Sequence, residues 1–492
     1  MDTPTLVLAI YALIAVVVLA ATVLSKSHRI MNTLAVGLSA SYITLTLYAL
    51  LSVDLPAYGL VSNYFLIDHL SIYEILIAAI LFLFAAVYAR EYVESSIETN
   101  EMNRSNLKLF YVAFNLLLIT IVYAFLADSL ALFWILAELT TAFSAVLIVT
   151  LNAPKNIVAT LKYIFITSTC MLFAFIGLIL IFTLTQNNLG VGTLNWSILM
   201  TIANTLSPAI MFAAFIFTFV GFAAKSGIVP FHAWLPSAHS KAPAPVSAIL
   251  SGAITSVGIY GIIRIYAVAS QTSELPKISW FLVSFGLLSM AVAALSMLNQ
   301  VDLKKLIGYS TVENMGFLLV GLGLGTTTAI FWMLFYILAH AFTKASLFFS
   351  AGILHHQFQS VRLARIKNAF KLQPFASWGL IVGVIAMTGV PLFAIFLPKF
   401  SLLIESAVVS PVLLLGLLVI FLLVAAAFGI FMVRLFSHSE KAYDSDLKPF
   451  RAGWNMKIPI VVLIAVVFIL GVVFPEQLTD FLNAIVLELG VK

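Results

Sequence analysis

Phe222-Ala223-Ala224-Lys225-Ser226-Gly227-Ile228-Val229-Pro230 sets a lysine in an apolar run and follows it with a glycine and a proline. Those two residue types interrupt a helix and free backbone carbonyls, which a bilayer tolerates only where the backbone is buried in protein or lines a cavity. The stretch therefore predicts a discontinuous membrane helix with a polar pocket at its break. The rest of the chain agrees, since 62% of its 492 residues are hydrophobic and 9% are charged, against roughly 25% charged in a soluble chain. At about 20 residues per crossing, that apolar content suffices for about fifteen spans. The runs are continuous and do not alternate, so a β-barrel is excluded. A lone Cys170 leaves no disulfide pair and no thiolate cluster for iron-sulfur ligation.

Apolar runs place helices at 5–25, 30–52, 65–90, 107–127, 129–151, 160–185 and 209–229, then at 245–268, 278–299, 305–324, 327–353, 375–404, 410–436 and 458–476. The expected fold is an all-α polytopic membrane protein of fourteen transmembrane helices, forming one membrane domain over 1–492. Lys and Arg collect in cytoplasmic loops, and this count sorts them: nineteen of 25, from Lys26 and Arg29 through Lys155, Lys304, Lys305, Lys441 and Lys448 to Lys457, fall on one side. Arg264, Lys277 and Lys492 fall on the other, and Lys225, Lys344 and Lys399 lie inside spans. Both termini are thus expected on the outer side of a cell membrane. Met1-Asp2-Thr3-Pro4 carries no basic n-region, so the first span reads as a retained helix and not a cleaved signal. The pI near 9.1 follows from this loop asymmetry and calls for no nucleic-acid partner. The uncharged segment 186–208 reads as an outer loop or surface helix.

Ionisable residues inside spans are costly and are functional candidates by default. Glu74, Glu138, Lys225, Glu313, Lys344 and Lys399 are such residues, joined by His340. The plainer alternative is that each pairs with a neighbour to hold helices together. Asp68 stands at a span entrance and reads as a cap, and His340 could equally satisfy a neighbouring helix. Lys399 follows Pro391 by eight residues, so a second broken helix is expected there. Glu138 precedes Lys225 by 87 residues and Glu313 precedes Lys399 by 86. These are spans 5 and 7 against 10 and 12, and an offset of five reverses the crossing direction. Two inverted five-helix repeats, 106–268 and 278–436, with helices 7 and 12 discontinuous, are the expected result. His340 and Lys344, four apart, share a helix face and suit proton relay. His232 and His239 flank Trp234 in a cytoplasmic turn, and neither they nor His355-His356 show metal-ligand spacing.

Three stretches carry a family resemblance. Phe133-Trp134-Ile135-Leu136-Ala137-Glu138-Leu139-Thr140-Thr141 resembles the glutamate-bearing fifth helix of the antiporter-like subunits shared by respiratory complex I, Mrp-type cation/proton antiporters and membrane-bound hydrogenases. Lys225 through Ser251, with Pro230-Phe231-His232-Ala233-Trp234-Leu235-Pro236, is the most specific of the three. Gln300 through Gly316 is similar to the loop before the family's tenth helix. The likeness runs from about 65 to 405 and lies nearest component F of group-4 hydrogenases. It implies a proton half-channel in each repeat, a coupled pair Glu138 and Lys225, His340 and Lys344 on a central axis, and Lys399 as terminal relay. Complex I members usually carry a lysine or histidine on the eighth helix where this chain has Ser256, whose hydroxyl cannot store a proton, so water or a neighbour would bridge the axis there. Glu74 matches no motif of the family.

With no metal cluster, nucleophile triad or phosphate loop in the sequence, no resident cofactor, metal or catalytic centre is expected in this chain, and the resemblance implies that it works beside other membrane subunits. The expected activity is proton translocation in a redox-driven complex, with Glu138 holding Lys225 charged by a Coulomb attraction of about 4 kcal/mol at 4 Å and an effective dielectric near 20. Two alternatives stay open: a subunit of an Mrp-type sodium/proton antiporter, and a structural membrane anchor.

Overall fold

The computed structural model of the chain describes residues 3–59, 64–151, 154–437 and 450–490. Met1, Asp2, Lys441, Lys448 and Lys492, and the side chain of Lys155, lie outside the described residues. Among the described residues, twelve helices are long and apolar enough to cross a membrane, beginning with Thr3–Leu24 and ending with Trp454–Val472. A helix is the form that lets a lone apolar segment satisfy its backbone in lipid, and nearly every predicted run is one. Two expected spans fall outside the twelve. Leu303–Leu324 is helical throughout but carries Lys304, Lys305 and Glu313, and the second is interrupted, as Pro374–Thr388 and Phe396–Val409. The all-α expectation needs one small correction, since Ala57–Tyr58 pairs antiparallel with Leu66–Ile67 in a short ribbon before the third helix.

Both predicted breaks are present. Pro208–Ser226 ends at Gly227, whose φ of 73° needs no Cβ, and the chain turns through Phe231–Trp234 into the short helix Leu235–Lys241. Pro374–Thr388 ends the same way at Gly389, with φ 82°. The devices are not copies. Lys225 lies in the last turn before its break, whereas Lys399 lies in the first turn after it.

The centre of the bundle is set by two long helices, His69–Glu98 and Thr327–Phe358, which run parallel and in register. Tyr73 donates to the Leu334 carbonyl at 2.8 Å, Tyr88 to that of Phe349 at 2.7 Å, and Ser95 meets His356 Nδ1 at 3.4 Å, each pair 261 residues apart. Ala244–Ala269 beside them is wholly buried, while only 28% of the first and of the last span is buried. The buried helix opens into a π-helical turn at Leu250–Ile254, a feature that often marks functional positions.

Segment 186–208 contains a short helix, Trp196–Ile202, whose Trp196 is buried and donates its indole N–H to the Arg264 carbonyl at 2.9 Å. The last helix, Glu476–Glu488, docks by a 2.6 Å contact between Glu488 and His69.

Candidate functional site

Each predicted residue has a definite place. Lys225 is fully buried, and its ammonium donates to the Ala137 carbonyl and the Thr141 hydroxyl, both at 2.5 Å. The direct ion pair expected with Glu138 is replaced by these contacts. Glu138, one residue along the same helix from Ala137, instead accepts a hydrogen bond from Ser168. Its other oxygen has no partner among the described residues. Glu138 is half-buried on the wall of a cleft of about 360 Å³ lined by Trp134, Ile135, Leu139, Ile164 and Ser168.

The second half differs. Glu313 is fully buried and lies 3.9 Å from the Lys399 ammonium. Lys399 also donates to the Met387 carbonyl at 3.0 Å and sits 4.7 Å over the Phe421 ring. Lys344, fully buried, donates to the Ile307 carbonyl at 3.0 Å and to Ser310 Oγ on the Glu313 helix. His340 lies one turn away with its ring parallel to Tyr336 at 6.2 Å and its Nε2 unpartnered among the described residues. Tyr336 in turn donates to Asn314, beside Glu313.

Ser256 does not bridge the halves, because its hydroxyl turns back to the Gly252 carbonyl at 3.0 Å. A ladder of neighbouring hydroxyls stands there instead. Ser226 donates to the Thr255 carbonyl at 3.2 Å, Thr255 to that of Ser251 at 2.6 Å, and Ser251 meets Thr311 at 2.8 Å. Thr311 and Lys344 then share the Ile307 carbonyl. Polar groups thus follow one another from the residue after Lys225 to Lys344, joined by hydroxyl-to-carbonyl contacts and by the Ser251–Thr311 hydroxyl pair.

Asp68 is a cap, as expected, closing a capping box with Ser71. It is also the carboxylate of a buried bidentate pair with Arg264 at 2.6 and 2.8 Å. Burial alone would raise its pKa, but the Arg264 guanidinium and the Ser71 hydrogen bonds hold it below the usual carboxylate range. Arg264 also lies 4.2 Å over the Trp196 ring. Nearby Asp128 accepts from Ser197 and Asn195, and burial keeps its carboxyl raised in spite of them. His232 is half-buried on the 3₁₀ turn after the first break, with Nδ1 unpartnered among the described residues. Glu74 is buried, and neither of its oxygens has a partner among the described residues.

Sequence reasoning missed several residues. His239, read as part of a cytoplasmic turn, is fully buried, with its ring stacked on Phe348 at 4.6 Å. Thr141, Ser168 and Ser310 hold the ionisable groups, yet lone hydroxyls in an apolar span carry no distinguishing pattern. Thr141 and Ser310, three residues from Glu138 and Glu313, were the available signal.

The chain matches the family model described as NADH:quinone oxidoreductase/Mrp antiporter, TM, over residues 127–429. It is 27% identical over 458 residues, 93% of this chain and 94% of the relative, to the hydrogenase-4 component F homolog of Methylacidiphilum infernorum. It is 27% identical over 372 residues, 74% of this chain and 72% of the relative, to one subunit of the Na(+)/H(+) antiporter of Alkalihalophilus pseudofirmus. Its fold superposes on a chain of the archaeal membrane-bound sulfane sulfur reductase with a TM-score of 0.86 at 21% identity, covering 98% of this chain and 97% of that one. With broken helices and buried lysines lying inside the matched stretch, the chain belongs to the NADH:quinone oxidoreductase/Mrp antiporter membrane family, as an antiporter-like multi-pass subunit.

Proposed function

We propose that the chain moves protons within a redox-driven multisubunit complex of the membrane-bound hydrogenase or complex I type, in a cell membrane. The observation that carries this reading is the buried group of Glu313, Lys344, His340 and Lys399, an acid among three bases at the bundle centre. A purely structural role would be served more cheaply by apolar side chains, since buried ion pairs often do no better than hydrophobic replacements.

Fourteen crossings follow if Leu303–Leu324 and the broken pair Pro374–Thr388 and Phe396–Val409 each span the bilayer, and both termini then face outward. Inverted repeats at 106–268 and 278–436 would account for the two broken helices, the two glutamate–lysine spacings and the αL glycines at 227 and 389.

In this reading Lys225 exchanges its carbonyl and hydroxyl partners for Glu138 when the latter is charged. Release of that pairing sends a proton through water held beside the Ser226–Thr311 hydroxyls toward Lys344 and His340, and from there to Glu313 and Lys399. Glu138 borders a cleft edged by the exposed Ile135 and Leu139. A neighbouring membrane protein there would cover a carboxylate that otherwise meets lipid, which ties proton movement to a partner. No step makes or breaks a bond to carbon, so the driving energy comes from redox chemistry elsewhere in the complex.

The test is proton translocation by the reconstituted complex carrying Lys225→Ala or Lys399→Ala. Loss in both supports the reading, and unaltered pumping in both removes it. Likeness to part of a Na(+)/H(+) antiporter favours one second reading, sodium/proton exchange. Sodium-dependent pH changes in vesicles without redox substrate would select it.

A further inference from the structure

Glu74 lies on His69–Glu98, outside the stretch that the family model matches. It is 1% exposed, and both carboxyl oxygens are without a hydrogen-bond partner among the described residues. Leaving a carboxylate in that condition is costly, and acids retained inside spans mark ion or proton routes.

The register of the two central helices gives its depth. With a constant offset of 261 residues, Glu74 stands level with Phe335, and His340 stands level with Ala79. At 1.5 Å per residue, Glu74 is therefore about 8 Å along the helix from His340 in one direction and about 9 Å from the Asp68 cap in the other. His340 Nε2 is unpartnered too, so the same helix pair carries two unsatisfied titratable groups in sequence. Tyr73, the residue before Glu74, donates to the Leu334 carbonyl of the partner helix, and Tyr260 accepts from Arg264 at 2.6 Å. Beyond them lie the polar groups of Asp68, Arg264, Asp128 and Ser197.

We propose that Glu74 is a proton-carrying carboxyl that links the His340 end of the central axis to the Asp68 end of the bundle. The Nε2–H bond of a protonated His340 breaks as an O–H bond forms on Glu74 through intervening water. This leaves a neutral imidazole and a carboxylic acid. Loss of that proton at the Asp68 end restores the carboxylate. The assignment rests on the proton reading above and extends it to a residue outside both repeats.

The test uses the assembled complex in sealed proteoliposomes, with Glu74→Gln and Glu74→Asp beside Lys399→Ala. Glu74→Gln is expected to cut proton translocation about tenfold or more, and Glu74→Asp to retain much of it. In the wild type, dicyclohexylcarbodiimide should label the peptide containing Glu74, as read by mass spectrometry. Full pumping in Glu74→Gln with loss in Lys399→Ala would overturn the role of Glu74 alone, whereas full pumping in both would overturn the proton reading itself. If Glu74→Gln fails to assemble, the labelling decides, and an unlabelled Glu74 in the intact complex overturns the proposal.

Discussion

Glu138 with Lys225 and Glu313 with Lys399 use the same residue types at nearly the same spacing, yet the two sites are built differently. In the first, acid and base sit back to back: Lys225 binds the carbonyl of Ala137 while Glu138 turns to Ser168 in an open cleft. In the second, acid and base face each other at 3.9 Å with Lys344 close by, and nothing in the group is exposed. The difference teaches that spacing in sequence fixes which groups are near, whereas the local hydroxyls fix which of them pair.

The largest expected effect sharpens that contrast. Lys399→Met leaves Glu313 buried without its facing cation and should destabilise by about 3 to 5 kcal/mol. Lys225→Met leaves a hydroxyl and a carbonyl without a donor and should cost about 1 to 3 kcal/mol. Thermal unfolding of the two variants in detergent would show it, and equal losses would erase the distinction between the halves.

Asp68→Asn comes next, because it leaves Arg264 buried without its carboxylate, and a loss of about 3 kcal/mol is expected. Here the pH dependence has a definite sign. The folded pKa of Asp68 lies below its unfolded value of 3.8. Its stabilisation is therefore complete above that value and fades only as pH falls through the lower one. Asp68→Asn should consequently narrow the gap to wild type only in strong acid, as unfolding measured across pH would reveal.

Ser168→Ala carries the smallest effect, about 1 kcal/mol in stability. It would still slow proton uptake at Glu138 without changing the Glu313 side, which separates the two halves by rate. A matching loss from Ser310→Ala, measured the same way, would show that Lys344 depends on its hydroxyl as Glu138 does.

Much of this was legible in the chain. Continuous apolar runs gave the helices, and glycine with proline near a lysine gave both breaks, because these residues act through local backbone chemistry. Asp68 read correctly as a cap for the same reason. The rest depends on tertiary packing. No pattern in His69–Glu98 announces that it runs in register beside Thr327–Phe358, so the depth of Glu74 could not be assigned. His239 lies among prolines and reads as a turn residue, and nothing near it in sequence announces that the Phe348 ring covers it. The Lys225 contacts with Ala137 and Thr141 depend on a rotamer choice that charge spacing does not encode.

The central claim is that the buried acids and bases carry protons and do more than hold helices together. Proton translocation and thermal stability measured together on the double variant Glu313→Gln with Lys399→Met test it most directly. Removing both charges should recover most of the stability that Lys399→Met alone loses, while proton movement through the reconstituted complex stays abolished. A double variant that is stable and still pumps at the wild-type rate would contradict the account.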